Sequence, residues 1–387
     1  MKRLPSRRRT RRGSVLILTA LLLVFMVGIV AMAVDLGYLA VARSELQRTA
    51  DAAAMAACWD LIDQGPLGTP VNLTAEIQTA RQTAAAYAAL NPVCNSAPVL
   101  STSESNSPDG DVVIGQLVDP SVPGAPMVFS NPNLYNAVQV TVRRTSSSNG
   151  EVPLFFARVF GQQSKAVTAT ATAALLNNIG GFTAPSDGSN LEMLPFALDE
   201  ETWNNLLAGG GSDLWRYNEA TGTVASGADG IREMNLYPQG TGSPGNRGTV
   251  DIGSSNNSTA DIARQILYGV TASDLAYHGG TLRFDAQGFL YLNGDTGISA
   301  GVKDELTAII GKPRILPVFR SVTNPGNNAT YQIVTFVGVR ILEVKLTGSM
   351  SSKRVTIQPA RVITHGAIPA TGGTKSYAVY SPVWLVR

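Results

Sequence analysis

Residues 13–37 read GSVLILTALLLVFMVGIVAMAVDLG, and this stretch decides how the rest of the chain is organised. No residue from Gly13 to Val34 is charged, and Val15, Leu22, Phe25 and Val34 are among its apolar side chains. About 20 helical residues cross the hydrocarbon core of a bilayer, so this run of 22 is long enough to span it. Lys2, Arg3, Arg7, Arg8, Arg9, Arg11 and Arg12 precede it. Basic flanks stay on the cytoplasmic side, so the expected topology is N-terminus inside, with everything after Asp35 beyond the cytoplasmic (inner) membrane. A cleaved signal peptide is the competing reading, because Ala31-Met32-Ala33 has the small-x-small form of a cleavage site. The apolar run exceeds the usual signal-peptide core of about 7–15 residues, which favours a retained anchor. Arg8-Arg9 and Arg11-Arg12 lack the apolar pair that a twin-arginine signal needs and read as an ordinary basic flank. Asp35 stands where the helix leaves the lipid. It reads first as a carboxylate marking the membrane edge, and second as a salt-bridge or assembly residue.

Helical spacing continues outward through Leu39, Ala42, Leu46, Ala50, Ala53 and Ala57, with no proline before Pro66. One helix from Val15 to Asp63 is expected, about 75 Å long. Its first half would lie in lipid, and its Ala-rich second half allows close packing against an outer domain. After a turn over Gly65–Pro70, a second helix from Leu73 to Leu90 ends at Asn91-Pro92. Residues 111–118, 136–143 and 166–175 are rich in β-branched residues or alternate, and read as strands. The fold class is therefore α+β: a transmembrane helix extended into a pilin-like domain of helix on antiparallel sheet, followed by a β-rich mixed domain. The expected divisions are a basic tail at 1–12, the span at 13–34, the outer domain at 35–176, a linker at 177–190 and the β-rich domain at 191–387. In that last region helices fit Ser258–Tyr268 and Ser299–Ile310. Strands fit Gly280–Phe284, Phe289–Leu292, Arg314–Val322, Tyr331–Leu346 and Arg354–Pro359, the fourth being one long strand or one bent at Gly338.

Composition agrees with a loop-rich β body. The 387 residues include 38 Gly and 21 Pro, and only 15% are charged. The net charge of +2 is a product of the tail, which holds seven of the 30 basic residues and leaves 23 against 28 acidic ones elsewhere. A mildly acidic body argues against nucleic-acid binding.

The N-terminal motifs carry a resemblance. Gly13, Val34-Asp35-Leu36-Gly37, Arg43-Ser44-Glu45-Leu46-Gln47 and Ala50-Asp51-Ala52-Ala53-Ala54-Met55-Ala56 resemble the start of TadE/TadG-like proteins of the Flp (tight-adherence) pilus system. A looser likeness continues through Val152-Pro153-Leu154-Phe155-Phe156-Ala157-Arg158-Val159-Phe160-Gly161 and the strand 166–173, where that module has a short Gly-capped amphipathic helix before a final strand. The resemblance implies a non-enzymatic membrane component that assists assembly or anchoring of such a pilus. Its partners would be the lipid bilayer and other Tad pilus or envelope proteins. Leu18 stands five residues after Gly13, where prepilins carry Glu, so prepilin-type processing is not expected. Asp187-Gly188-Ser189-Asn190-Leu191 lacks the second Ser of an Asp-x-Ser-x-Ser metal site and reads as a Gly turn.

No catalytic, cofactor or metal residue emerges. His278 in Tyr277-His278-Gly279-Gly280 reads as a turn residue without a positioned partner, and two histidines (the other is His365) support no zinc site. Pro244–Gly248 lacks the Lys-Ser/Thr of a P-loop. Asp285–Gly288 and Asn293–Asp295 read as hairpin turns, and Asp199-Glu200-Glu201 as a helix start. Ser349–Lys353 fails the Ser-x-x-Lys spacing. Cys58 and Cys94 flank the second helix. In an oxidising compartment a disulfide is one reading, and two free or buried thiols the other. The competing functional class is a ligand-binding or enzymatic domain on a signal-anchor, which convergent acids in a C-terminal pocket would favour.

Overall fold

The computed structural model describes residues 14–62, 67, 73–237, 248–254, 258–296, 298–324, 328–349, 352–370 and 376–386. The basic tail with Gly13, Asp63, all but Leu67 of the Gly65–Pro70 turn, Pro244–Arg247, Met350 and Ser351 lie outside those residues. The fold is α+β: a long apolar helix leads into a β-rich body with helices.

Helix α1 (Ser14–Trp59) runs 46 residues, about 69 Å, without interruption. Its two halves differ in environment. Apolar residues from Val15 to Val34 face solvent, whereas Ala42, Leu46, Ala50, Ala53, Ala54, Ala57 and Cys58 are fully buried. The change follows from composition. Large branched side chains suit lipid, and small ones let helix α2 (Leu73–Leu90) and a sheet come close to the backbone. Ala80, Ala84 and Ala88 of α2 enter the same core. That sheet contains β1 (Val112–Gly115), β2 (Ala137–Arg144) and β3 (Val167–Ala174), antiparallel in the order β1-β2-β3.

Within residues 177–190, read above as a linker, lies β4 (Ile179–Thr183), whose first four residues are buried. Ser376 N–H donates to the Asn177 carbonyl, and Ser381 N–H to the Leu176 carbonyl. In return, Leu176 N–H donates to Ser381 Oγ and Ile179 N–H to Ser376 Oγ. The strand Trp384–Val386 crosses back and pairs antiparallel with β3 at Thr172–Ala174, becoming the fourth strand of the first sheet. Tyr380 is buried in the first core. Sequence separation of about two hundred residues hides this contact from pattern reading.

The C-terminal region is built on β5 (Phe196–Asp199), β6 (Met234–Tyr237), β7 (Gly248–Val250), β8 (Thr281–Arg283), β9 (Leu290–Thr296), β10 (Pro313–Thr323), β11 (Ala329–Lys345), β12 (Arg354–Pro359) and β13 (Ala367–Pro369). Strand β11 pairs with β9, β10 and β12, and β10 pairs in parallel with β5. With β7 between β5 and β9, the pairings close a ring of five strands, β11-β9-β7-β5-β10. Strands β8, β4 and β13 form a separate small sheet. The expected strands and the helix Thr259–Tyr268, capped by Ser258 and closed by Gly269, are present. Residues 299–310 split into a 3₁₀ turn and the short helix Lys303–Ala308. Strand β11 runs unbroken through Gly338. Its register shifts lie near Val334 and Leu342. Gly338 is there for closeness, since a Cβ would clash with the Ala360 carbonyl oxygen.

The cysteines correct one reading. Both thiols are free. Helix α2 runs back along α1, so Cys94 is delivered beside Glu45, whose Oε2 accepts its N–H at 2.7 Å. Cys58 lies 13 residues further along α1, about 20 Å away, and donates weakly to the Asn136 carbonyl. That separation is far beyond disulfide reach.

The alanine seam yields a test. Ala53→Leu inserts three carbons where no space exists, and is expected to cost about 1–3 kcal/mol, read as a lower thermal midpoint of the detergent-solubilised chain.

Candidate functional site

Two motif stretches meet at the end of the apolar span, through Asp35 and residues 155–157. Asp35 lies on the last turn before the body and is 5% exposed. Its Oδ1 accepts Phe155 N–H at 2.8 Å, and its Oδ2 accepts Phe156 N–H at 3.0 Å and Ala157 N–H at 2.7 Å. These three amides open the 3₁₀ helix Ala157–Phe160, whose first N–H groups have no partner within the helix. Gly161, at φ 86°, closes that helix in a conformation that costs a side-chain-bearing residue energy. The ring of Tyr38, one turn beyond Asp35, meets Phe155 edge-on at 5.2 Å. Burial pushes the Asp35 carboxyl up, but the three backbone donors and the nearby Arg158 charge outweigh it, leaving it below the ordinary carboxylate value. Neither sequence reading of Asp35 anticipated this cap, formed across 120 residues. The pairing of an acid at the span's edge with a short Gly-closed helix was visible, but nothing in the sequence said that they touch.

Other motif residues act above this point. Gln47 Nε2 donates to Asp51 Oδ1 at 2.8 Å and to the Thr170 carbonyl at 3.2 Å, bridging α1 to β3. Leu46 and Ala50 are core, and Ala52 is half-buried. Val34, Leu36, Gly37 and Arg43 are exposed, and a Cβ on Gly37 would meet nothing. Val15, Leu22 and Phe25 are exposed on the apolar span. Arg81, which sequence reading missed, is 2% exposed. Its guanidinium holds the Val112 carbonyl and Asn106 Oδ1, both at 2.9 Å.

A second cluster sits under the five-stranded ring. Asp251 is 5% exposed, and its N–H donates to the Asn293 carbonyl at 2.7 Å. Among the described residues, Asp251 Oδ1, the Tyr331 hydroxyl and His278 Nε2 find no hydrogen-bond partner. Burial, then the neighbouring Asp295 charge, push Asp251 up to about 6. Burial lowers His278, whose ring bonds the Asp251 backbone. His278 thus caps the helix Ala272–Tyr277 as a turn residue while its ring faces inward. A cleft of about 390 Å³ holds Glu200, Trp203, Arg320 and Tyr377, but Glu200 is tied to Arg320 through two hydrogen bonds at 2.7 and 2.9 Å. No group of three or more His, Cys, Asp or Glu residues able to hold a metal occurs among the described residues.

A family model described as Flp pilus-assembly TadE/G-like matches residues 13–60, and one described as Tad-like Flp pilus-assembly matches residues 52–173. Residues 13–173 are Tad-like. The two matched stretches contain Asp35 and the 3₁₀ helix that it caps, so the buried contact joins one Tad model to the other. Nothing among curated proteins or solved structures matches this chain. The five-stranded ring and the Asp251 cluster lie outside both matches.

Two outcomes test these sites. Asp35→Asn removes the anionic acceptor, and is expected to speed hydrogen exchange at the 155–157 amides by about tenfold or more. In the wild type the cap holds above the ordinary carboxylate range and is lost only as pH falls below it, because the folded value is depressed. Asp251 behaves oppositely. Its folded value is raised, so its favourable contribution is complete below about pH 4 and disappears as pH rises to about 6. Asp251→Asn should flatten that slope and, after allowance for partial solvent contact, stabilise the protein at pH 7 by about 1–2 kcal/mol in denaturant titration.

Proposed function

We propose that this chain is a non-enzymatic, membrane-anchored component that assists assembly or anchoring of a Flp-type pilus. The observation that carries the reading is the Asp35 cap, which ties the apolar span directly to the body within the stretch matched by the two Tad models. Such a joint transmits force and orientation from membrane to outer domain, which suits an assembly part. The helix α1 is long and apolar enough to cross a membrane. We take it to do so once, in the cytoplasmic membrane, with the basic tail inside and the body outside. Residues 35–176 then form a pilin-like outer domain. The region from 191 onward is a second unit whose last strand completes the first unit's sheet. The partners are the bilayer and other Tad or envelope proteins, met by association rather than catalysis.

Chemical crosslinking in native membranes, followed by affinity capture of the tagged chain and mass spectrometry, tests this reading. Recovery of pilus secretion and platform proteins is the expected outcome. Capture of cell-wall or unrelated envelope proteins alone would replace it with a ligand-binding role for the C-terminal region.

A further inference from the structure

The 3₁₀ helix under Asp35 presents its apolar side chains outward. Phe155 is 55% exposed, Phe156 46%, Val159 84% and Phe160 82%. A soluble surface seldom gathers four such residues within six positions. Their height along α1 is set by the cap, because Asp35 holds the amides of 155–157 at the first charged residue after the basic tail. The patch therefore adjoins the last apolar turn, where Val34 and Leu36 are exposed too. Ala31, one turn earlier on the Asp35 face, is half-buried, while every other residue from 15 to 34 is exposed. The edge of the body thus reaches down to the end of the lipid-facing surface.

Charge points the same way. Residues 151–170 contain Arg158 and Lys165, both exposed, and one acid, Glu151, whose carboxylate accepts from the Ser164 hydroxyl; the stretch is net basic in a body that is otherwise net acidic. Aromatic rings beside cations, at the depth where a span meets water, are the composition of a membrane-interface contact.

We infer that Phe155, Phe156, Val159 and Phe160 sit in the outer-leaflet interface of the bilayer that α1 spans, giving the body a second membrane contact that fixes its tilt. The occupant is lipid: acyl chains and glycerol meet the rings, and anionic headgroups meet Arg158 and Lys165. This inference rests on the anchor reading above.

Site-specific photocrosslinking separates the two. The full chain, carrying p-benzoylphenylalanine in place of Leu22, Met55 or Phe160, is reconstituted in liposomes of phosphatidylethanolamine and phosphatidylglycerol, irradiated, and analysed for lipid adducts by mass spectrometry. Leu22 reports the span. Met55, exposed and about 30 Å further along α1 than Asp35, is the control away from lipid. The expected result is lipid labelling at Phe160 several-fold above Met55 and approaching Leu22. Labelling at Leu22 with Phe160 at the Met55 level would overturn this inference and leave the anchor standing. Phe160 adducts to a second copy of the chain instead of lipid would overturn it in favour of a lateral protein contact. Absence of lipid labelling at Leu22 would remove the anchor reading, and this inference with it.

Discussion

One carboxylate governs how the apolar half of this molecule relates to the rest. A helix that leaves a bilayer and continues into a water-soluble body has no intrinsic reason to hold one orientation, because its contact with lipid is rotationally indifferent. Asp35 removes that freedom. It takes three amide donors from a turn 120 residues away, and it does so at the level where the exposed apolar run ends. The donors are the unsatisfied N–H groups of a short helix, so the acid and the helix stabilise each other. Glu45 and Gln47 add ties about three turns above, to the chain beyond α2 and to β3. The span, the long helix and the first sheet thereby behave as one lever.

Legibility from sequence followed the range of the interactions involved. The long helix, its alanine seam, the second helix and most C-terminal strands are local patterns, and periodicity revealed them. The helix starts at Ser258 and Asp199 were legible because the signal is local: each side chain meets an amide three residues on. The roles that escaped are all non-local. Asp35 as a cap, Arg81 as a buried tie to β1, and the return of Trp384–Val386 to β3 need the fold before they can be seen. The disulfide reading failed on direction. Knowing that Cys58 and Cys94 flank a helix does not say that the helix carries the second one back along α1 by about 20 Å.

The C-terminal region obeys different constraints from the N-terminal module. Its ring of five strands leaves no free edge along β10 or β9, which is one way a β-rich body avoids joining its neighbours. The buried Asp251, held near His278 and Tyr331 with unpaired polar atoms, sits against that economy. It is costly in the sense that a better-packed apolar substitute would stabilise the protein.

The stitching of Trp384–Val386 into the first sheet also orders events during folding. If the chain emerges outward from its anchor, α1, α2 and β1 to β3 arrive early, but the outer edge of β3 stays open until residues 384–386 have been delivered. For all that time Thr172–Ala174 offers unpaired backbone to any passing strand. Until it is paired that edge is a template for mispairing, and removal of residues 384–386 would leave it open.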